Sequence, residues 1–229
     1  MPLREKAPAS NEQPVRGLSV CNDFDFRFRI SRHINFYPYV GEEYPVSSPK
    51  ILILGHSHYG PAEWDKDHDT TRGTIIEHLD HVAAAGTAFR WGRCFRRMGA
   101  VIEGNGYYHS DAIWSKLSFF NFFQIHVGSD ARDKSRIAPE VVENSRKAFL
   151  EVLDVLRPDV VIVWGNDLWY RQIPEQGWEW VDRKREVGRY AILPNTLVWK
   201  TTHPSAARFS IDTTRGQWLE ILPLIHSSD

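Results

Sequence analysis

Two imidazoles, a hydroxyl and a phenol follow one another at His56, Ser57, His58 and Tyr59, between Gly55 and Gly60. Such a set can take up, relay and donate protons near neutral pH, because histidine titrates at about 6.5. A second set, Thr201, Thr202, His203, Pro204 and Ser205, carries another imidazole. A third is a single amide, Asn121, embedded among Phe119, Phe120, Phe122 and Phe123. An amide among phenyl rings must have its hydrogen bonds arranged, either as a structural bridge or as a group that reads a ligand.

Each set follows an apolar run. Ile51–Leu54 reads as a strand buried on both faces, stopped by Gly55, and residues 159–164 (DVVIVW) repeat the pattern before Gly165. Residues 112–124 form a strand-like aromatic run, and Leu197–Lys200 delivers the His203 loop. Pro139–Leu156 has the 3.6-residue periodicity of an amphipathic helix, closed by Pro158. Further helices are expected over 74–85, 89–102, 166–170 and 218–225. Further strands are expected over 178–181, 190–193 and, from the alternation of Phe24, Phe26, Phe28 and Ile30, over 24–30. Strands alternating with helices imply an α/β fold with a mainly parallel sheet. Ligands of such sheets bind beyond the carboxyl ends of the strands, where all three polar sets fall.

Composition bounds the partners. The 28 basic and 29 acidic side chains leave a net charge of −1, so no global basic field advertises nucleic acid and any such surface is a local patch. Arg90, Arg93, Arg96 and Arg97 could form one, although a solvated helix face explains them as well. Two cysteines, Cys21 and Cys94, are too few for a disulfide framework and read as buried small apolar groups. No apolar run approaches the roughly 20 residues that span a bilayer, and no signal peptide is evident, so a cytoplasmic monomer is expected. Residues 1–20 read as a flexible arm and 21–229 as one domain.

A strand followed by Gly55-x-x-x-Tyr59-Gly60, a strand carrying Asn121, the run PDVVIVWG (158–165) and a strand ending in His203-Pro204-Ser205 together resemble the uracil-DNA glycosylase superfamily. The resemblance spans roughly Lys50 to Phe209. It implies a three-layer α/β/α sandwich around a four-stranded, mainly parallel sheet, acting without a cofactor or metal on DNA or a nucleotide-like ligand. It implies that Gly55, His56, Tyr59 and Phe120 build a base pocket, that Asn121 reads a flipped-out pyrimidine, and that His203 donates to the base oxygen as charge develops there. Ser205, Arg208 and Phe209 would lie in the loop that wedges into the duplex. Where active members carry an Asp in the first motif this chain has Ser57, and His58 replaces the following Pro. Serine is no general base unaided, so His58 is the expected base, with Ser57 and His203 completing the catalytic set.

Three other readings share these residues. A module of the same fold could bind a nucleotide or nucleic acid without catalysis. Gly55-His56-Ser57-His58 also fits the first four positions of G-x-S-x-G, and Ser57, Asp167 or Asp182, and His203 follow the chain order of a serine esterase. Against that, Tyr59 stands where the elbow needs Gly, and a charged loop follows where it needs a helix. Zinc on His56, His58 and His203 would require those imidazoles to converge.

Overall fold

The carboxyl end of one five-residue strand fixes the geometry of the molecule. In the computed structural model residues 19–85, 92–104 and 112–225 are described. The elements in chain order are α1 (Asp25–Ile30), β1 (Tyr39–Val40), β2 (Ile51–Gly55), α2 (Thr70–Ala85), α3 (Arg93–Glu103), β3 (Leu117–Asn121), α4 (Pro139–Leu156), β4 (Val160–Trp164), β5 (Trp178–Asp182), β6 (Val187–Tyr190), β7 (Leu193–Thr201) and α5 (Ile211–Ile225). The seven strands make one mixed sheet in the order β1-β3-β2-β4-β7-β6-β5. β4 lies at its centre, parallel to β2 and β7, and β2 is parallel to β3. The sheet is thus seven strands wide where four were expected. Antiparallel β1 widens one edge, and the β5–β6 hairpin widens the other.

Every residue of β2, β3 and β4 is buried, which is why these strands read as unbroken apolar runs. Successive side chains point to opposite faces. Leu52, Leu54, Phe120, Val161 and Val163 pack with α4 through Phe149, Val152, Leu153 and Leu156. Ile51, Ile53, Phe119, Val160 and Ile162 face the other way, against Ile75 and Leu79 of α2, Phe95 and Met98 of α3, and Trp218 and Ile221 of α5. Helices therefore cover both faces. α4 starts with Pro at its first turn, where the missing N–H costs nothing, and stops at Arg157 in the left-handed region (φ 47°) just before Pro158.

Several sequence expectations fail for identifiable reasons. Residues 25–30 are helix, not strand. Phe26 (70%) and Ile30 (63%) are exposed, and only Phe24 and Phe28, one turn apart, face the core. Residues 112–116 form a 3₁₀ turn, so the strand begins only at Leu117. A single π-helical turn, Leu168–Gln172, replaces the short helix expected at 166–170. β6 ends at Tyr190, before the predicted 190–193 strand has run its course, and α5 begins at Ile211 rather than Trp218. Residues 1–18 of the expected arm, together with Phe89 and Arg90, lie outside the described residues, whereas Val20 bridges to Gly41. On α3, Arg93 is exposed, but Arg96 is buried and Arg97 donates to the Pro204 carbonyl at 2.7 Å, so the described arginines do not share one solvated face. Cys21 and Cys94 are buried free thiols. Among the described residues no helix is long and apolar enough to cross a membrane.

Candidate active site

Strand register brings the three polar sets to one rim. Gly55 pairs with Asn121, Leu54 with Val163, and Trp164 with Thr201. The loops that leave these positions (56–60, 122–126, 165–167 and 202–205) therefore start side by side.

His56 is the hub. Its Nε2 lies 2.9 Å from Asp167 Oδ2 and its Nδ1 lies 2.8 Å from Ser57 Oγ. An ionised carboxylate only accepts, so the ring proton sits on Nε2 and Nδ1 accepts from the Ser57 hydroxyl. Burial pushes the imidazole below its ordinary pKa and outweighs the upward pull of Asp167, so the ring is neutral at pH 7. Burial would raise Asp167, but hydrogen bonds from Lys134 (3.0 Å) and His56 outweigh it and hold the carboxyl ionised. Asp167, His56 and Ser57 thus form a relay able to draw a proton from whatever the serine hydroxyl touches.

His203 is fixed by its neighbour. The backbone N–H of Ser205 points at its Nδ1 (3.1 Å), and the Ser205 hydroxyl lies 2.7 Å from the same atom. A backbone N–H can only donate, so Nδ1 is the acceptor and the proton of the neutral ring is on Nε2. The ring stands edge-on to Trp164 at 5.6 Å between centroids. Burial, helped by the nearby His56 imidazole, lowers its pKa to about 4. Gly165, at φ 94°, turns the β4 loop close beside this ring. A Cβ there would lie 3.3 Å from the Cβ of His203.

His58 takes a different part from the one expected. It is buried against Phe36 and His126, and its Nε2 meets Thr71 Oγ1 at 2.9 Å and Asn121 Nδ2 at 3.0 Å. Burial holds its pKa near 3, with the His126 ring adding to the effect, so it is too weak a base and too enclosed to activate water. It orients Asn121 instead. The amide donates to His58 and turns Oδ1 toward Gly55, where an added Cβ would come within 2.3 Å of that oxygen. Asn121 is therefore a buried, oriented amide and does not stand open in a hollow.

The remaining predicted residues divide. Tyr59 is half-exposed and belongs to a neighbouring cleft, which neither Asn121 nor His203 lines. Ser205 and Arg208 are exposed on the loop after β7. Phe209 is not the wedge: it packs into the core with Trp164 and Trp218 at 9% exposure, which leaves Arg208 as the large exposed side chain there. Phe120 is fully buried beside Leu54 and offers no ring face to a ligand; its place next to His56 is taken by Phe123, at 5.0 Å. The three histidines do not converge as a metal triad, and among the described residues no group of three His, Cys, Asp or Glu side chains could hold an ion.

No protein-family model matches the sequence, and no curated protein matches it. The chemistry is read from the site alone. Sequence reasoning offered Asp167 only as a possible acid of an esterase set with Ser57 and His203, not as the partner of His56. His56 and Asp167 lie 111 residues apart, and the available signal was only that Asp167 follows Gly165 at the end of the neighbouring strand.

Proposed function

We propose that this chain hydrolyses the N-glycosidic bond of an extruded, uracil-like base in DNA, at the rim formed by β2, β3, β4 and β7. The observation that carries the reading is His203: a neutral imidazole whose Nδ1 is occupied by Ser205, presenting Nε2–H as a donor beside His56. As the bond from the sugar to the base nitrogen breaks, its electron pair moves onto the base and charge builds on the base oxygen. A donor aimed at that oxygen stabilises charge that exists only in the transition state. Asn121 acts from behind: held by His58, it packs its Oδ1 against Gly55 and so positions the turn that carries His56 and Ser57. Water attacks the sugar carbon, passing its proton through Ser57 to His56, and Asp167 stabilises the imidazolium that results. Ser57 and His56 together thus stand in for the carboxylate of the related motif.

Oligonucleotides carrying uracil and other altered bases test this. Wild-type protein is expected to release free base from at least one of them, and Asn121→Ala and His203→Ala to lose that release while remaining folded. Retention of DNA without release by wild-type protein would leave a binding module of the same fold.

The Asp167–His56–Ser57 relay also favours a second reading, ester hydrolysis with Ser57 as nucleophile. Its base would be His56, not His203. Only a 3₁₀ turn, Ala62–Lys66, follows the serine where an esterase elbow runs into a helix. Turnover of a p-nitrophenyl ester that disappears in Ser57→Ala would select it.

A further inference from the structure

Beside the relay lies a cleft of about 500 Å³ between residues 59–64 and 128–136, within the range of small-molecule sites. Tyr59, Gly60, Trp64, Ser129, Asp133 and Arg136 are among its lining residues. Both walls are tied to the candidate active site. Tyr59 is two residues from Ser57, at most about 7 Å of chain, or about two stacked nucleotide steps. The other wall carries Lys134, whose Nζ lies 3.0 Å from Asp167.

The cleft holds a ready aromatic surface. Trp64 is 56% exposed and Tyr59 40%, in a chain that buries most of its large rings. Trp64 is nonetheless held in place. Its ring stands edge-on to His126 at 5.9 Å, and its neighbour Asp65 accepts from the His126 backbone N–H at 2.8 Å and pairs with Arg136. Gly60 lets the ring lie against the backbone, since a Cβ there would come within 2.5 Å of it. A rigid exposed indole is a stacking platform that loses little entropy on binding.

Charge decides what stacks. Arg136 is engaged by Asp65 and by the His126 carbonyl, while Asp133 on the same wall accepts from Ser129 at Oδ2 and from the Ser135 N–H at Oδ1, whose second lone pair can take a further donor. Hydrogen bonds from Ser129 and Ser135 keep Asp133 ionised. A phosphate is repelled there, and a neutral planar group with N–H donors is accepted. We infer that the cleft holds a nucleobase flanking the extruded one in single-stranded nucleic acid, stacked on Trp64 with its amino edge toward Asp133. This rests on the glycosylase reading for its ligand class.

The test uses full-length protein and a fluorescein-labelled single strand of unmodified mixed sequence, so it does not depend on base release. Fluorescence anisotropy is expected to show binding weakened about tenfold in Trp64→Ala and nearly restored in Trp64→Phe. Tryptophan quenching by the strand should be smaller in Trp64→Phe than in wild type. Equal affinity of Trp64→Ala and wild type, no binding by wild type, or competition by inorganic phosphate at the quenching site would each overturn the inference. Base release with Trp64→Ala binding unimpaired would do so while leaving the proposed reaction standing. Stacking at Trp64 without release of any base would do the reverse.

Discussion

Replacing Gly55 with alanine probes the site at its tightest point. The added methyl would meet Asn121 Oδ1 at 2.3 Å and the Phe119 ring at 2.6 Å, with the ring's next carbon at 3.1 Å. Ordinary contact lies near 3.5 Å, so the amide or the strand must retreat by about 1 Å. Overpacking of this kind costs about 1–3 kcal/mol, and each kcal/mol lowers Tm by about 2–4 °C in a domain of this size. A misplacement of about 1 Å in a positioning group costs about a hundredfold in rate. Gly55→Ala should therefore lower Tm by several degrees and cut single-turnover base release about a hundredfold. Gly73→Ala is the internal control. It lies in α2 with no heavy atom within 4 Å of the new methyl, and should leave release unchanged while stabilising the helix by up to about 1 kcal/mol. Differential scanning fluorimetry and a quenched-flow release assay read both quantities. Full activity and an unchanged Tm in Gly55→Ala would refute the placement of Asn121.

Stability should fall as pH drops from 7 to 5. His58 binds no proton in the folded state until about pH 3, whereas the unfolded chain takes one up below about 6.5. The unfolded state then holds more protons and gains as pH falls, by about 2 kcal/mol at pH 5 from His58 alone. Denaturant unfolding at the two pH values should show a smaller loss in His58→Gln; an equal loss in both proteins would remove His58 as the cause. Phe209→Ala should lower stability by about 3–5 kcal/mol through the cavity it leaves, while Arg208→Ala leaves Tm unchanged and weakens DNA binding, with Tm and anisotropy as readouts. Asp167→Asn should slow release about tenfold or more without changing affinity for a non-cleavable strand, because the relay acts only as charge develops on His56; a change in affinity alone would remove it from the reaction.

The parts of the fold legible in the sequence are those whose burial is complete. β2 and β4 are covered on both faces, so their apolar runs have no competing explanation, and α4 was bounded at Pro139 and Leu156 by its own periodicity. Half-covered pieces misled. Phe24, Phe26, Phe28 and Ile30 alternate in sequence, yet Phe26 and Ile30 lie open to solvent. β1 was illegible because it is two residues long; β5 was expected over 178–181, but its largely exposed residues carried no sign that it extends the same sheet. At the site, residue types were legible but pairings were not. His56 and His58 are chemically identical in sequence, and only their surroundings make one the partner of Asp167 and the other a buried prop for Asn121.

The most direct test is the free base itself. Adding uracil to protein labelled with ¹⁵N at histidine should shift the ring signals of both His56 and His203 along one saturation curve, and Asn121→Ala should abolish both shifts together. Separate saturation of the two rings, or no shift in either, would contradict a single base site at the ends of β2, β3, β4 and β7.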